Sequence, residues 1–385
     1  MISRTVLAAL LGLTSTLLAQ QPAPPKPAAP KPAATTAQSI DRIEKQAQAA
    51  RAANNVDEAI ALYKKGIALK PNWDEGWWSI GTLNYEQDRF PEARDAFRRL
   101  AAIKPDVAVP WAMLGLCQFE THQYDQALEN LRHGVALGLG QGQSIADVAN
   151  FHLALLLTRF EEYEASMKVL ALFAQRNLSH PSYIEAMGIA ALRKPLLPAE
   201  VPPTDHLLIM DVGRVMFDAA ALRTTEAGAE FKALVAKYPE TPNIHYLYGS
   251  FLMFSDADGA LVEMKKELEI SPAHVPAMVT IASEYIQRKQ YKEGLPYATK
   301  AVELEPQSFP AHAVLGRIFA EGDIDLPRGL TELEEARKLA PTSPQVRIAL
   351  ATAYTKAGRK EDAARERQEF SKLRQSLDAK DSAGK

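Results

Sequence analysis

The feature that most constrains this chain is a period of 34 residues, kept over much of its 385-residue length. Trp77 recurs as Trp111, Gly81 as Gly115, and Ala59 as Ala93 and then Ala127, each step being 34 residues. Tyr63 returns as Phe97 and Pro71 as Pro105 at the same interval. Such a period is the mark of a stacked array of helical hairpins, in which no repeat buries its apolar face alone. The expected fold class is all-α, with antiparallel helix pairs in about eight to nine repeats.

Numbering each repeat from 1 to 34 exposes the pattern. A large apolar residue stands at position 4, small residues at 8 and 20, an aromatic or Leu at 24, and Pro at 32. The small residues are expected where the first helix of a pair (helix A) crosses the second (helix B). The proline ends helix B and sets the next turn. The first repeat, 40–73, carries Ala47, Ala59, Tyr63 and Pro71. The second, 74–107, carries Trp77, Gly81, Ala93, Phe97 and Pro105, and the third, 108–141, Trp111, Gly115, Ala127 and Leu131. A glycine-rich step, Gly138-Leu-Gly140-Gln-Gly142, precedes a fourth at 147–180 with Ala154, Ser166 and Leu170.

The period then fails. Tyr183 to Arg193 reads as a helix A, but Pro195, Pro198, Pro202 and Pro203 interrupt its expected helix B. This stretch is the expected boundary between an N-terminal repeat block, 39–193, and a C-terminal block, 205–377, with a break at 194–204. The period resumes with Ala227, Phe231 and Pro239 in a repeat at 208–241. Three further repeats end at Pro272, Pro306 and Pro341, and a last contains Ala351, Tyr354 and Ala363. Glu366 to Leu377 is expected to extend the final helix as a charged cap, and 378–385 to be disordered.

The N-terminus reads as a targeting segment. Arg4 supplies a basic start, and Thr5 to Ala19 is an uncharged, mostly apolar run of 15 residues. That is short for a spanning helix and fits a secretory signal peptide at 1–19, with no membrane span once it is cleaved. No cysteine follows to carry a lipid anchor, so a periplasmic or secreted location is expected. Residues 20–38, rich in Pro, Ala and Lys, read as an extended linker. The net charge is −3 overall and −6 without residues 1–38, which gives no footprint for nucleic acid. The single cysteine, Cys117, permits no intrachain disulfide and reads as a small buried residue.

These residues resemble the tetratricopeptide repeat over 40–180 and 208–365. The resemblance implies a right-handed superhelix whose A helices line a concave groove that binds a protein or peptide. Together with the signal segment it resembles an exported bacterial protein of that family, expected to serve an envelope complex. If helix A lines the groove, positions 2, 5, 9 and 12 face it. In the second repeat these are Glu75, Trp78, Thr82 and Tyr85; in the third, Val109, Ala112, Leu116 and Phe119. Large rigid aromatics suit anchor pockets. The later repeats offer a more polar set: Asn243, Tyr246, Ser250, Ser283, Arg317 and Thr352. The expected contacts are Trp78, Thr82, Tyr85, Leu116, Phe119, Tyr246, Ser250 and Arg317. Some family members grip a terminal carboxylate with Lys, Asn and Arg. Here Glu44, Gln48, Ser79, Val109 and Met113 hold those places, so that clamp is missing.

Signals for catalysis are weak. The eight histidines form no paired metal motif. The glycine-rich step has no preceding strand and no phosphate-binding lysine. Asp256-Ala-Asp258-Gly259 reads as a turn rather than a calcium loop. No catalytic residue, metal or cofactor is expected, and the leading expectation is a non-enzymatic scaffold. A self-assembling structural protein, hence a homo-oligomer, and a glycan or small-ligand binder using the aromatic groove stay open as alternatives.

Overall fold

The computed structural model describes residues 32–139 and 144–383, with nineteen α-helices and no strand among them. The expected signal peptide, and linker residues 20–31, lie outside the described residues. The chain divides into two compact units, with the boundary between Arg223 and Thr224.

The first unit holds α1 (Pro32–Ala52), α2 (Val56–Leu69), α3 (Asp74–Glu86), α4 (Phe90–Ile103) and α5 (Ala108–Glu120). It continues with α6 (Tyr124–Ala136), α7 (Ser144–Arg159), α8 (Tyr163–Gln175), α9 (Pro181–Ala191) and α10 (His206–Ala220). They pack as successive pairs, α1 with α2 through α9 with α10, and the second helix of each pair also touches the first of the next. In the second unit, α11 (Thr224–Lys237) precedes the pair α12 (Ile244–Leu252) and α13 (Ala257–Ile270). Three more pairs follow: α14 (Val275–Gln287) with α15 (Tyr291–Leu304), α16 (Phe309–Glu321) with α17 (Leu326–Leu339), and α18 (Pro344–Lys356) with α19 (Lys360–Ala383).

The small residues at positions 8 and 20 do mark the crossings within pairs. A Cβ on Gly115 would lie 2.7 Å from Leu131 and 3.2 Å from the Ala127 carbonyl, and one on Gly316 would lie 2.9 Å from the Gly329 carbonyl. Around each crossing the apolar faces close into cores. Ala93, Phe97, Leu116, Leu131 and Leu156 share one in the first unit, and Leu333, Leu350 and Tyr354 another in the second.

The proline stretch behaves differently from expectation. Helix α10, beyond the prolines, packs directly on α9 and supplies the partner that seemed to be missing. A Cβ on Gly188 would sit 1.9 Å from the Ile209 carbonyl oxygen, and one on Gly213 1.9 Å from that of Ile184. The stretch is thus a long loop inside a pair. Leu197 is buried in it, Pro198–Glu200 forms a 3-10 turn, and Glu200 pairs with Arg159 at 2.6 Å. Prolines forbid a helix, but they do not relieve the flanking apolar faces of the need for burial. The expected break at 194–204 is replaced by a division after Arg223, and the expected repeat at 208–241 is split, with α10 and α11 in different units.

Both ends of the expected blocks also shift. The linker was expected to run through Gln38, yet α1 starts at Pro32. Proline at a first helical position loses no hydrogen bond, and the Ala-rich run behind it propagates helix well. The tail expected to be disordered from Asp378 is helical to Ala383, since no proline or glycine occurs before Gly384.

A second regularity lies at the joints between repeats. The side chain at position 4 donates an N–H to the carbonyl of the proline six residues earlier. Trp77 and Trp111 do so through the indole, to Pro71 at 2.8 Å and Pro105 at 2.9 Å. In the second unit His245 Nε2 reaches Pro239 at 2.9 Å, His312 Nε2 reaches Pro306 at 3.0 Å, and Arg347 reaches Pro341 at 2.8 Å.

Candidate functional site

The A helices lie side by side where repeats adjoin: α5 touches α7 and α7 touches α9 in the first unit, and α14 touches α16 and α16 touches α18 in the second. Each unit therefore presents a face built from first helices.

In the first unit that face is held by aromatic contacts. Trp78 is half-buried, with its ring edge-on to Phe97 at 5.7 Å between centroids. Tyr85 is half-buried and edge-on to Phe90 at 5.4 Å, and burial pushes its phenol above the ordinary value. Phe119 is half-buried over His152 at 4.7 Å and beside Tyr124 at 5.6 Å. His152 Nδ1 donates to the Val148 carbonyl at 2.8 Å, and burial lowers its pKa, so a neutral ring supports Phe119.

Two expected contacts do not belong to an open face. Thr82 is 2% exposed, and its hydroxyl turns back to the Ser79 carbonyl at 3.2 Å. Leu116 is 1% exposed and joins the core with Leu153, Leu156 and Leu157 of α7. Where A helices pack side by side, position 9 of α5 points at its neighbour and is used up in holding the array together. Cys117 beside it is buried, and burial raises its thiol pKa.

The second unit's polar set is largely self-satisfied. Tyr246 is half-buried against the His274 ring at 4.6 Å, and its backbone N–H donates to Glu267 at 3.2 Å. The fully buried Glu267 also accepts the Asn243 N–H at 2.8 Å, so one carboxylate caps the start of α12. Ser250 is half-buried. Arg317 pairs within its own helix with Glu321 at 2.6 Å. Ser283 and Thr352 donate back to Val279 at 2.8 Å and Ile348 at 3.0 Å. Ile348 is 43% exposed one turn before Thr352, an apolar surface position that polarity-led reasoning passed over although the i, i+4 spacing marks it.

The other sequence candidates resolve simply. Asp256 accepts the Gly259 N–H at 2.9 Å and is a helix cap. Among the described residues, no group of three or more His, Cys, Asp or Glu side chains is placed to hold a metal ion, and no helix is long and apolar enough to cross a membrane.

Two segments match models of the tetratricopeptide repeat family, residues 44–108 in the first unit and 275–308 in the second. No curated protein matches the sequence. Among solved structures, MamA 41-end from Desulfovibrio magneticus RS-1 is similar at 22% identity, covering 44% of this chain and 96% of that one with a TM-score of 0.40. Yeast Tom70 is similar at 11% identity, covering 88% of this chain and 85% of that one with a TM-score of 0.36.

Proposed function

We propose that this chain, a tetratricopeptide-repeat protein, is a non-enzymatic scaffold that binds a protein or peptide on its helix-A faces, as part of a bacterial envelope complex. The observation that carries the proposal is the side-by-side packing of first helices, α5, α7 and α9 in one unit and α14, α16 and α18 in the other, with Phe119 and Arg317 half-buried on them; Trp78 and Tyr85 on α3, and Tyr246 and Ser250 on α12, are half-buried on the first helices that precede each run. Half-buried aromatics keep a rigid face in contact with solvent, so a partner gains contact area with little side-chain entropy to lose. Removing Thr82 and Leu116 from the contact set concentrates the first unit's anchors at positions 5 and 12. The polar last helix favours this role over self-assembly: α19 packs on the last repeat and exposes Arg365, Arg367 and Lys372.

A photo-crosslinking residue at Tyr85 or Arg317 in the native host is expected to trap one discrete partner, and the same probe at Lys300 on a helix B is expected to trap none. Equal capture from Lys300 would remove the helix-A assignment. For location, N-terminal sequencing of the mature protein is expected to begin at Gln20, and recovery of intact Met1 in the cytoplasm would overturn export.

A further inference from the structure

The outer side of the first three repeats carries a feature that the helix-A faces do not use. Positions 25 and 26 of the second helices are Lys64 and Lys65 on α2, Arg98 and Arg99 on α4, and Arg132 and His133 on α6. All six are exposed, and the pairs recur at the 34-residue interval, so they form a ridge across three repeats. Among the described residues Lys64, Lys65 and Arg99 make no ion pair, whereas Arg98 meets Asp95 at 3.0 Å and Arg132 meets Glu162. The second unit has no equivalent run of basic pairs: the same positions hold Lys265 and Lys266, then Thr299 and Lys300, then Glu334 and Glu335.

Beside the ridge lie two clefts that share a position-4 indole and a position-26 side chain. The first is lined by Trp77 with Pro71, Arg99 and Ile103, with a volume of about 590 Å³. The second is lined by Trp111 with Leu128, Arg132 and His133, and by Asp125 and Glu129 on its other side, again about 590 Å³. Each indole is half-buried, its N–H fixed on a proline carbonyl and part of its ring left open beside a basic side chain. His133 stands edge-on to Trp111 at 4.6 Å.

We propose that this ridge and its two indole clefts form a second docking surface for an extended acidic polypeptide, whose carboxylates meet Lys64, Lys65, Arg99 and Arg132 and whose apolar side chains enter the Trp77 and Trp111 clefts. Three of these four exposed cations, Lys64, Lys65 and Arg99, make no ion pair among the described residues and call for an anionic partner. The same helices carry Asp57, Glu92 and Asp125 in their first turns, which would repel a uniformly negative membrane or nucleic acid. A polypeptide mixes charge and apolar groups residue by residue, so it fits a ridge that alternates the two. Arg is the better partner for a carboxylate, through its bidentate fork, and an indole is a high-value anchor.

The test uses the full chain and a synthetic peptide in which Asp and Glu alternate with Leu and Phe. All four tryptophans, Trp73, Trp77, Trp78 and Trp111, lie in the first unit, so intrinsic fluorescence reads this surface. Binding is expected to weaken with salt, and to fall about tenfold in the triple variant Lys64→Glu, Lys65→Glu, Arg99→Glu. The milder Lys64→Gln, Lys65→Gln, Arg99→Gln set guards against misfolding and is expected to flatten the salt dependence. Tyr85→Ala is expected to leave this binding unchanged, which separates it from capture on the helix-A face. No saturable binding, binding indifferent to both triple variants, or tighter salt-sensitive binding of anionic vesicles or a polynucleotide would overturn the proposal.

Discussion

The two units solve the same joint with different chemistry. In both, a side chain at position 4 reaches back to a proline carbonyl. Trp77 and Trp111 bring a single donor on an apolar ring, and nothing else needs a partner. His245, His312 and Arg347 bring a second polar group as well, and each finds a glutamate from the second helix of its own pair. Glu263 lies 2.5 Å from His245, Glu332 lies 2.6 Å from His312, and Glu366 lies 2.7 Å from Arg347. Glu366 also takes Arg337 at 2.7 Å while almost wholly buried. The difference teaches that a repeat conserves a backbone acceptor and a direction of approach, and that any N–H donor of the right length closes the joint. What changes is the risk, because a buried joint between two polar side chains adds little net stability when complete and costs a great deal when half removed.

The largest effect that should break the comparison is at Glu366. Glu366→Ala leaves Arg337 and Arg347 facing each other without their carboxylate and is expected to cost about 4 kcal/mol. The loss should appear in the circular dichroism melt, with tryptophan fluorescence of the folded first unit unmoved. Gly213→Ala is the mirror experiment in the first unit. Its new methyl meets the Ile184 carbonyl, a backbone group that has no rotamer to change, and the expected loss is about 3 kcal/mol. Here the fluorescence transition should move.

The joints themselves are compared by Trp111→Phe and His245→Phe. The first deletes one hydrogen bond and is expected to cost about 1 kcal/mol. The second also strands Glu263, leaving it only the Lys266 partner at 2.9 Å, so urea titration should show a clearly greater loss. Equal losses would mean that the two chemistries are interchangeable after all. A smaller effect of opposite sign is expected at Leu222, which sits at φ 61° and is 77% exposed in the turn after α10. The α18–α19 turn of the second unit already uses Gly358 at φ 74°. Leu222→Gly should stabilise the first unit by about 0.5 kcal/mol, and a lower melting temperature would show that the leucine is held by contacts.

At neutral pH the smallest effects are at two phenols, one half-buried and one buried. Burial raises the pKa of Tyr85 in the first unit, and that of Tyr354 in the second to about 12, where its hydroxyl also donates to Glu334 at 2.7 Å. A raised tyrosine holds its proton more tightly when folded. Its contribution is therefore complete below the ordinary value of 10.0 and is lost as pH rises through the folded value. Tyr354→Phe should flatten the alkaline fall in second-unit stability between those limits, and Tyr85→Phe should do the same for fluorescence in the first.

Much of this was legible in the sequence, and the failures have physical causes. The helix pairs, the small residues at the crossings and Cys117 as a buried residue follow from a period that repeats the same steric demand. The second unit's joints were not legible, because His245, His312 and Arg347 break an apolar position, and only the recurring six-residue interval to a proline could have exposed them. Thr82 and Leu116 were assigned to the groove by counting along one helix, but their fate depends on how closely the next helix approaches.

The 34-residue period by itself determined the secondary structure, the pairing of helices and the places where only small residues fit, because these are local demands met once per repeat. Tertiary structure alone decided that α10 completes α9 across four prolines, that the units part after Arg223, and which side chains at the open positions stay open. Those outcomes turn on approach between helices distant in sequence, where two glycines and the two carbonyls they face outweigh any break in the pattern.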